Sequence, residues 1–376
     1  MLPLRIALFT GNYNHIEDGV SRTLGRLVGY LEGEGHEVLV VGPTIERPLP
    51  QPGRFLAVPS VAAPGRPEYR VSTGFPARAR AEVAHFAPHV VHIATPDVLG
   101  HRALRWARTL RLPVVSTYHT HFASYLAYYH LGLAEPALWQ VLRRFYNRCD
   151  EVYPPTPAMA ESLREHGIRS PLRVWPRGIE AGRFAPSFRS AAWRQSHGFA
   201  ADDVVVAFVS RLVKEKGLDV FEATVTALQR EGAPVRALVV GDGPERNALA
   251  EALPKAVFAG HLSGAELSTA YASSDVFLFP SETETFGNVT LEAMASGLAV
   301  VAADAAGTAS LIANGQTGLL CPPRDRQAFL TATRSVVTSP GLRSTLGAEA
   351  IRSARAYDWP EVLASMASFY QEVITR

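Results

Sequence analysis

The feature that most constrains the fold is a repeated alternation of short apolar runs with longer segments of helical periodicity. The chain opens with LRIALFT, passes a Gly- and Asn-rich turn, and continues into VSRTLGRLVGYLEGEGHEVLVVGP, where a helical pattern stops at GEGH before a second apolar run. A strand, a helix and a strand in this order form a parallel βαβ unit. Further runs, HVVHIA, PVVSTYH, EVYPP and LRVWP, predict a doubly wound parallel sheet.

The alternation breaks and restarts once, which indicates two domains. The break is RGIEAGRFAPSFRS, and the apolar runs after it are DVVVAFVS, VRALVVGDG, AVFAGH, DVFLFPS and AVVAAD. A chain of 376 residues also exceeds the size at which a single core stops growing. We predict two Rossmann-like α/β domains, at 1–182 and 183–357, facing a cleft lined by the carboxyl ends of both sets of strands. The last segment, 358–376, is an amphipathic helix that we expect to pack back toward the first domain.

The composition is that of an ordinary globular protein, with 47% hydrophobic and 19% charged residues. No run approaches the ~18 apolar residues of a membrane-spanning helix, and the opening run is too short for a secretory signal. We therefore expect a cytoplasmic protein, at most peripheral on the inner face of the cell membrane. Cys149 and Cys321 lie far apart without metal-ligand spacing, which favours two reduced thiols.

Charge is unevenly distributed. Residues 1–183 contain 21 Arg, no Lys and 15 Asp or Glu, which gives them a formal net charge of +6, whereas the whole chain has a formal net charge of +2. A basic first domain suits anionic phospholipid or an anionic acceptor, and arginines spread through solvent would give the same sum. The segments HRALRWARTLR and WQVLRRFYNR each fit either a membrane-surface helix or an ordinary helix packed on the sheet. We expect no nucleic-acid partner.

Two glutamates eight positions apart, in ETFGNVTLEAMASG, indicate a binding site. One continuous helix would place Glu284 and Glu292 about 12 Å apart, because each residue rises ~1.5 Å. Asn288 is a good N-cap and Gly297 a good stop, so we predict a helix over 289–296 with Glu284 in the loop before it. Two carboxylates around the anion-binding start of a helix suit a ligand with hydroxyl-bearing rings on both sides of a phosphate, such as a nucleotide sugar.

A second cluster, RLVKEKG, follows the first strand of the second domain. It contains Arg211, Lys214 and Lys216, two of the three lysines in a chain that otherwise uses 34 Arg. Cations at the carboxyl end of a strand, where a helix opens, are suited to phosphate. The turn GDGPER has the wrong spacing for a dinucleotide fingerprint, and we interpret it as a strand-to-helix turn that fits either a structural role or a binding role.

At this point the sequence resembles a known family. FVSRLVKEKGLDV, GDGPER, AGHLSG, DVFLFPSETETFGNVTLEAMASGLAVVAADAAG and NGQTGLL are similar to the donor domain of family 4 retaining glycosyltransferases of the glycosyltransferase-B fold. The E-x7-E pattern with its surroundings is specific to that family. Ser210 stands where the family commonly has Gly before the arginine. The segments YHTHFASYLAYY and VWPRGIE most resemble branches that glycosylate lipids, among them GDP-mannose-dependent α-mannosyltransferases and glycosyl-diacylglycerol synthases.

The resemblance implies roles for individual residues in the donor site. Arg211 and Lys216 would hold the donor pyrophosphate, Glu292 the ribose, and Glu284 the donor sugar, helped by backbone groups at 286–288. The implied donor-binding residues are Gly19, Arg211, Lys216, His261, Leu262, Glu284, Phe286, Gly287, Asn288 and Glu292.

The first domain would supply further groups. DGVSR resembles the family's glycine loop, with Gly19 approaching the pyrophosphate and Asp18 in place of any first glycine. His119, in STYHTHF, matches a histidine that touches the donor sugar, and His121 is the competing choice. On the acceptor side the implied residues are Tyr125, Tyr128 and Arg177. The implied catalytic residues are His119, Arg211, Lys216 and Glu284.

The expected reaction moves a hexose from GDP-mannose or a UDP-hexose to a lipid or glycolipid hydroxyl, with an α-linkage formed by a front-face mechanism. No Asp-x-Asp stretch and no His/Cys cluster occurs, so we expect neither a metal nor another cofactor. Three other functions compete with this one: a retaining glycoside hydrolase using the two glutamates, a nucleotide-sugar epimerase, and a non-catalytic nucleotide-sugar sensor or partner subunit.

Overall fold

The computed structural model describes residues 3–16, 18–63, 66–119, 135–180, 182–284 and 286–376. The chain divides into two compact units, one formed by Met1–Pro176 with Pro360–Arg376 and the other by Arg177–Trp359. The bounds suggested by the sequence, 1–182 and 183–357, differ from this division by a few residues.

The first unit is built on a parallel sheet. Its strands are β1 (Arg5–Phe9), β2 (Glu37–Gly42), β3 (Arg54–Ala57), β6 (Val90–Ile93), β7 (Val114–Thr117) and β8 (Glu151–Tyr153), with the hairpin β4 (Ser60–Ala63) and β5 (Arg66–Ser72) inserted. They are ordered β3-β2-β1-β6-β7-β8, and all five pairings are parallel. Helices of this unit are α1 (Gly19–Gly33), α2 (Ala77–Phe86), α3 (Val98–Thr109), α4 (Glu135–Tyr146) and α5 (Pro157–Glu165). The strand predicted at LRVWP is wrong, because only Leu172 pairs, in a single bridge to Val152.

The second unit repeats the design. Its strands are β9 (Val204–Val209), β10 (Val235–Val240), β11 (Val257–Gly260), β12 (Val276–Phe279), β13 (Ala299–Ala303) and β14 (Leu319–Cys321). They are ordered β11-β10-β9-β12-β13-β14, again all parallel. Helices of this unit are α6 (Ala191–Ser196), α7 (Leu218–Arg230), α8 (Arg246–Ala252), α9 (Gly264–Ala272), α10 (Asn288–Ala295), α11 (Ala306–Ala309), α12 (Arg326–Thr338) and α13 (Pro340–Ala354). Every residue of β9 is buried, as expected of a strand covered by helices on both faces.

The last helix, α14 (Trp359–Ile374), belongs to the first unit from Pro360 onward. The indole Nε1 of Trp175 donates a hydrogen bond to the carbonyl oxygen of Val362 at 2.9 Å. Near its end, Tyr370 Oη lies 2.7 Å from Nδ1 of His92 on β6. The contact with His92 joins the helix to the middle of the first sheet, and Met366 and Tyr370 are completely buried.

Candidate active site

The candidate site of the second unit lies at the carboxyl ends of β9 and β12. These strands are hydrogen-bonded neighbours at the centre of the sheet, although β10 and β11 separate them in sequence. In a doubly wound sheet the connections from two such strands run to opposite sides, and the crevice between their loops is where ligands bind. The two loops cover residues 210–217 and 280–287, and they carry Arg211, Lys216 and Glu284.

Lys216 and Glu284 form an ion pair between these loops, with Nζ 2.5 Å from Oε1. The residue after Lys216, Gly217, has a φ of 73°, and a Cβ there would lie 2.8 Å from the carbonyl oxygen of Pro280. Only glycine allows the two loops to approach so closely, which brings the ammonium to the carboxylate. The side chains are 11% and 18% exposed, so a ligand can still reach the pair.

Glu284 is held by further contacts. The buried Ser281 hydroxyl donates to its Oε1 at 3.2 Å, and a Cβ on Gly307 would lie 2.5 Å from its carbonyl oxygen. A cation and a carboxylate fixed side by side suit a ligand that carries both phosphate and hydroxyl groups. Lys216 and Glu284, predicted from the sequence to contact neighbouring parts of one ligand, lie together in the structure.

Helix α10 starts beside this pair. The predicted N-cap, Asn288, is wrong by one residue, because Gly287 occupies the cap with a left-handed φ of 96° and Asn288 is the first residue of the helix. The Asn288 side chain is exposed. Phe286 is buried and its ring packs edge-on against Tyr357 with centroids 5.8 Å apart, so only its backbone is available to a ligand.

Glu292 projects from the second turn of α10 and is half-buried. Its Oε2 accepts a hydrogen bond from the hydroxyl of Tyr271, on α9, at 3.0 Å. Burial, and then the charge of Glu292, hold the pKa of Tyr271 well above its usual value, so the phenol stays protonated and can donate. Sequence reasoning missed Tyr271, since its only signal is an aromatic residue in the helical pattern of α9.

The fold requires both glycines of the GDGPER turn after β10. Gly241 and Gly243 have φ values of 130° and 159°, and a Cβ on either would collide with the backbone of the loop after β9, at Ser210 or Leu212. Arg211, between these two contacts, is exposed, and no carboxylate of the described residues lies within ion-pair distance of it. His261 and Leu262 follow β11 at the edge of the sheet, the first exposed and the second packed against the core.

In the first unit, the loop after β1 leads into α1. Asp18 is the N-cap of this helix: its Oδ1 accepts hydrogen bonds from the backbone N–H groups of Val20 and Ser21 at 2.9 and 2.8 Å. Gly19 is the first helical residue, and a Cβ there would meet nothing within 4 Å. The polar residue that precedes Gly19 is therefore explained by capping, whereas the fold itself does not require Gly19 to be glycine.

His119 follows β7 and is buried, with 8% of its surface exposed. Its Nε2 lies 2.7 Å from the Thr117 hydroxyl, which lies 3.0 Å from Nε2 of His92. Tyr125, Tyr128 and the competing His121 lie outside the described residues. Arg177 is buried and is the first residue of the second unit. The described residues that flank Tyr125 and Tyr128 in sequence belong to the first unit.

The two basic segments form the helices α3 and α4, and the apolar side of each helix packs into the core of the first unit. In α3, Leu104 is buried and Trp106 packs against Phe75, while Arg102 and Arg105 are exposed. The exposed side of α3 and α4 nevertheless forms a basic depression, defined by His101, Leu104, Arg105, Val141, Arg144 and Arg148.

Among the described residues, no cluster of three or more His, Cys, Asp or Glu side chains could hold a metal ion. None of the helices they form is long and apolar enough to cross a membrane.

Comparison with known proteins places this architecture in one class. The structure of sucrose-phosphate synthase from Thermosynechococcus elongatus superimposes with a TM-score of 0.78 and 20% identity over 99% of both chains. That likeness shows the fold, which is the glycosyltransferase-B fold of two doubly wound domains. Family models match on either side of the break, Glycosyltransferase Family 4 at residues 18–183 and Glycosyl transferases group 1 at residues 203–339. The protein is a glycosyltransferase.

Two relatives of this chain are named for particular glycosyl transfers. A GDP-mannose-dependent alpha-mannosyltransferase of Mycolicibacterium smegmatis is 35% identical over 99% of this chain and 98% of its own. An alpha-monoglucosyldiacylglycerol synthase of Streptococcus pneumoniae is 28% identical over 80% of this chain and 71% of its own. The chain belongs to glycosyltransferase family 4.

Proposed function

We propose that this glycosyltransferase moves mannose from GDP-mannose to a lipid or glycolipid hydroxyl and forms an α-linkage with retention. The main support for a donor site is the Lys216–Glu284 pair between the loops after β9 and β12. This pair places a cation suited to phosphate beside a carboxylate suited to hydroxyl groups, at the crevice of the sheet. The mannosyltransferase relative favours GDP-mannose over a UDP-hexose.

In the proposed reaction the sugar–phosphate bond breaks and negative charge develops on the leaving diphosphate. Arg211 and Lys216 would stabilise that charge, together with backbone N–H groups at the start of α10. The departing phosphate would accept the proton of the acceptor hydroxyl on the same face, so no enzyme nucleophile is needed. His119 would hydrogen-bond the donor sugar, Glu292 the ribose, and the backbone at Gly19 the pyrophosphate. We propose that the reaction requires no metal ion.

The first experiment measures nucleotide release and binding of the purified protein with GDP-mannose, UDP-glucose and UDP-galactose, with EDTA present. We expect slow release of GDP from GDP-mannose, lost in Glu292→Ala. Lys216→Ala should lower kcat by about 10²- to 10³-fold, the usual cost of removing one group that stabilises developing charge. Lys214→Ala removes an exposed cation from the same turn and is the matched control. Binding without turnover, in the presence of lipid extract, would instead indicate a sensor or partner subunit.

For the acceptor side we propose that the basic depression between α3 and α4 contacts anionic phospholipid. Arg105, Arg144 and Arg148 surround Val141, which is 45% exposed, and burial and two of these arginines hold the pKa of His101 below its usual value. Vesicles with 30% phosphatidylglycerol should pull down the wild type, and Arg105→Glu/Arg144→Glu should release it. Arg78→Glu/Arg80→Glu, on α2, is the control. Equal binding by both double variants would contradict this surface.

A further inference from the structure

A hydrogen-bonded chain connects the last helix to the proposed catalytic histidine. It runs from Tyr370 Oη to His92 Nδ1 at 2.7 Å, from His92 Nε2 to Thr117 Oγ1 at 3.0 Å, and from Thr117 Oγ1 to His119 Nε2 at 2.7 Å. All four side chains belong to the first unit and at most 8% of any of them is exposed.

The proton positions follow from counting donors and acceptors. His92 is completely buried, which lowers the pKa of its imidazole to about 3, so at neutral pH the ring is neutral and carries one N–H. If His92 holds that proton on Nε2, Tyr370 donates to Nδ1, His92 donates to Thr117, and Thr117 donates to Nε2 of His119. Each of these three protons then has an acceptor.

The opposite direction leaves a buried proton without an acceptor. If His119 donated to Thr117, Thr117 would donate to His92 and His92 to Tyr370. The Tyr370 hydroxyl proton would then have no acceptor within hydrogen-bond distance among the described residues. Leaving a buried hydroxyl proton without an acceptor is costly, which favours the first direction by roughly fivefold or more.

We propose that Tyr370, His92 and Thr117 are positioning residues that fix His119 as its Nδ1–H tautomer. This inference rests on the proposed function, in which His119 touches the donor sugar: the chain makes the ring a hydrogen-bond donor through Nδ1 and fixes its orientation. The contribution of α14 to catalysis is then to orient a side chain that follows β7, through groups that touch no substrate.

The test reads the tautomer directly. Imidazole 15N shifts of histidine-labelled protein report which nitrogen carries the proton, and His119→Gln identifies the His119 signals. We expect Nδ1–H in the wild type. Thr117→Val removes the hydroxyl at nearly constant shape and should give a mixture of tautomers, whereas Thr117→Ser should restore the wild-type signals. Tyr370→Phe should also give a mixture, because both directions then leave one ring nitrogen of His92 unpaired.

Kinetics with the donor that the nucleotide-release assay identifies provide the second readout. Thr117→Val should lower kcat by about tenfold to a hundredfold, with donor KM changed less than about threefold, because the groups proposed to bind the donor most strongly lie in the second unit. Ser116→Ala is the matched control: it removes the neighbouring buried hydroxyl, which donates to the carbonyl of Ile93, without touching His119.

An Nε2–H tautomer in the wild type, or equal kcat values for Thr117→Val and Ser116→Ala, would overturn the proposal. If the wild type turns over no donor, the proposed function fails while the tautomer measurement still decides whether the chain fixes His119. If Thr117→Val does not fold, Tyr370→Phe alone decides the question, and a single unchanged Nδ1–H signal in that variant would count against it.

Discussion

At the scale of single residues, Gly19 is a glycine that its surroundings within the protein do not require. Gly19 has no positive φ, and a side chain on it would point into open space. Gly217 and Gly307, by contrast, are required by contacts within the protein. The absence of a Cβ at position 19 is explained if a bound pyrophosphate approaches the backbone there.

We therefore expect Gly19→Ala to separate binding from stability. Its unfolding free energy should equal that of the wild type within about 0.5 kcal/mol, or rise slightly, because alanine favours the helical conformation. The dissociation constant for GDP-mannose, measured by calorimetry, should rise on the order of tenfold. Gly33→Ala, at the other end of α1 and equally open, should change neither quantity. Unchanged donor affinity in Gly19→Ala would remove Gly19 from the site.

The sequence could predict which residues share an edge of the sheet, but not which of them are bonded. Arg211, Lys216 and Glu284 follow parallel strands, so their position at the carboxyl edge comes from the strand order alone. The Lys216–Glu284 bond depends on how closely Gly217 approaches Pro280, a contact between loops that no local pattern encodes. The predicted cap at Asn288 is wrong because Gly287 takes the cap position in a left-handed conformation.

At the scale of elements, long apolar runs were predictable and short edge segments were not. Apart from Arg5 in β1 and His92 in β6, the central strands β1, β6, β9 and β12 consist of buried apolar residues. β3 has four residues, none of them buried, so its composition does not separate it from a loop. Pairing with β2, which is a tertiary contact, makes it a strand.

Contact between α9 and α10 fixes Glu292, and Tyr271→Phe tests its role. A hydrogen bond to a charged group is worth about 1.5–3 kcal/mol, so we expect stability to fall by up to that amount and donor affinity to fall roughly tenfold as the carboxylate loses its orientation. Urea unfolding and donor titration measure the two effects. Tyr357→Phe removes a half-buried hydroxyl from the same unit but keeps the ring that packs against Phe286, and it should leave donor affinity unchanged. Equal affinities for the two variants would show that Tyr271 does not position Glu292.

At the scale of the whole molecule, the two units share a topology but differ in their buried histidines. The described residues include five histidines whose pKa is lowered, each mainly by burial, and all five lie in the first unit: His15, His36, His89, His92 and His101. A buried neutral histidine resists a proton that the unfolded chain accepts below about pH 6.5. Acid should therefore weaken the first unit selectively.

The lowered histidine pKa values determine in which direction the stability of the first unit changes with pH, and over which pH range. Below about pH 6.5 the unfolded state binds more protons than the folded state, so the stability of the first unit is complete above that pH and declines as the pH falls toward the lower folded values. Each such group contributes a slope of at most about 1.4 kcal/mol per pH unit, and for His92 the decline continues to about pH 3. Hydrogen exchange between pH 7 and 4.5, corrected for intrinsic rates, should show protection lost first in residues 1–176 and 360–376. In His92→Gln, urea unfolding of this unit should have a shallower pH dependence despite a lower starting stability, because one titrating group is gone. Loss of protection that begins in residues 177–359, or an identical slope in the variant, would contradict this assignment of the acid-sensitive unit.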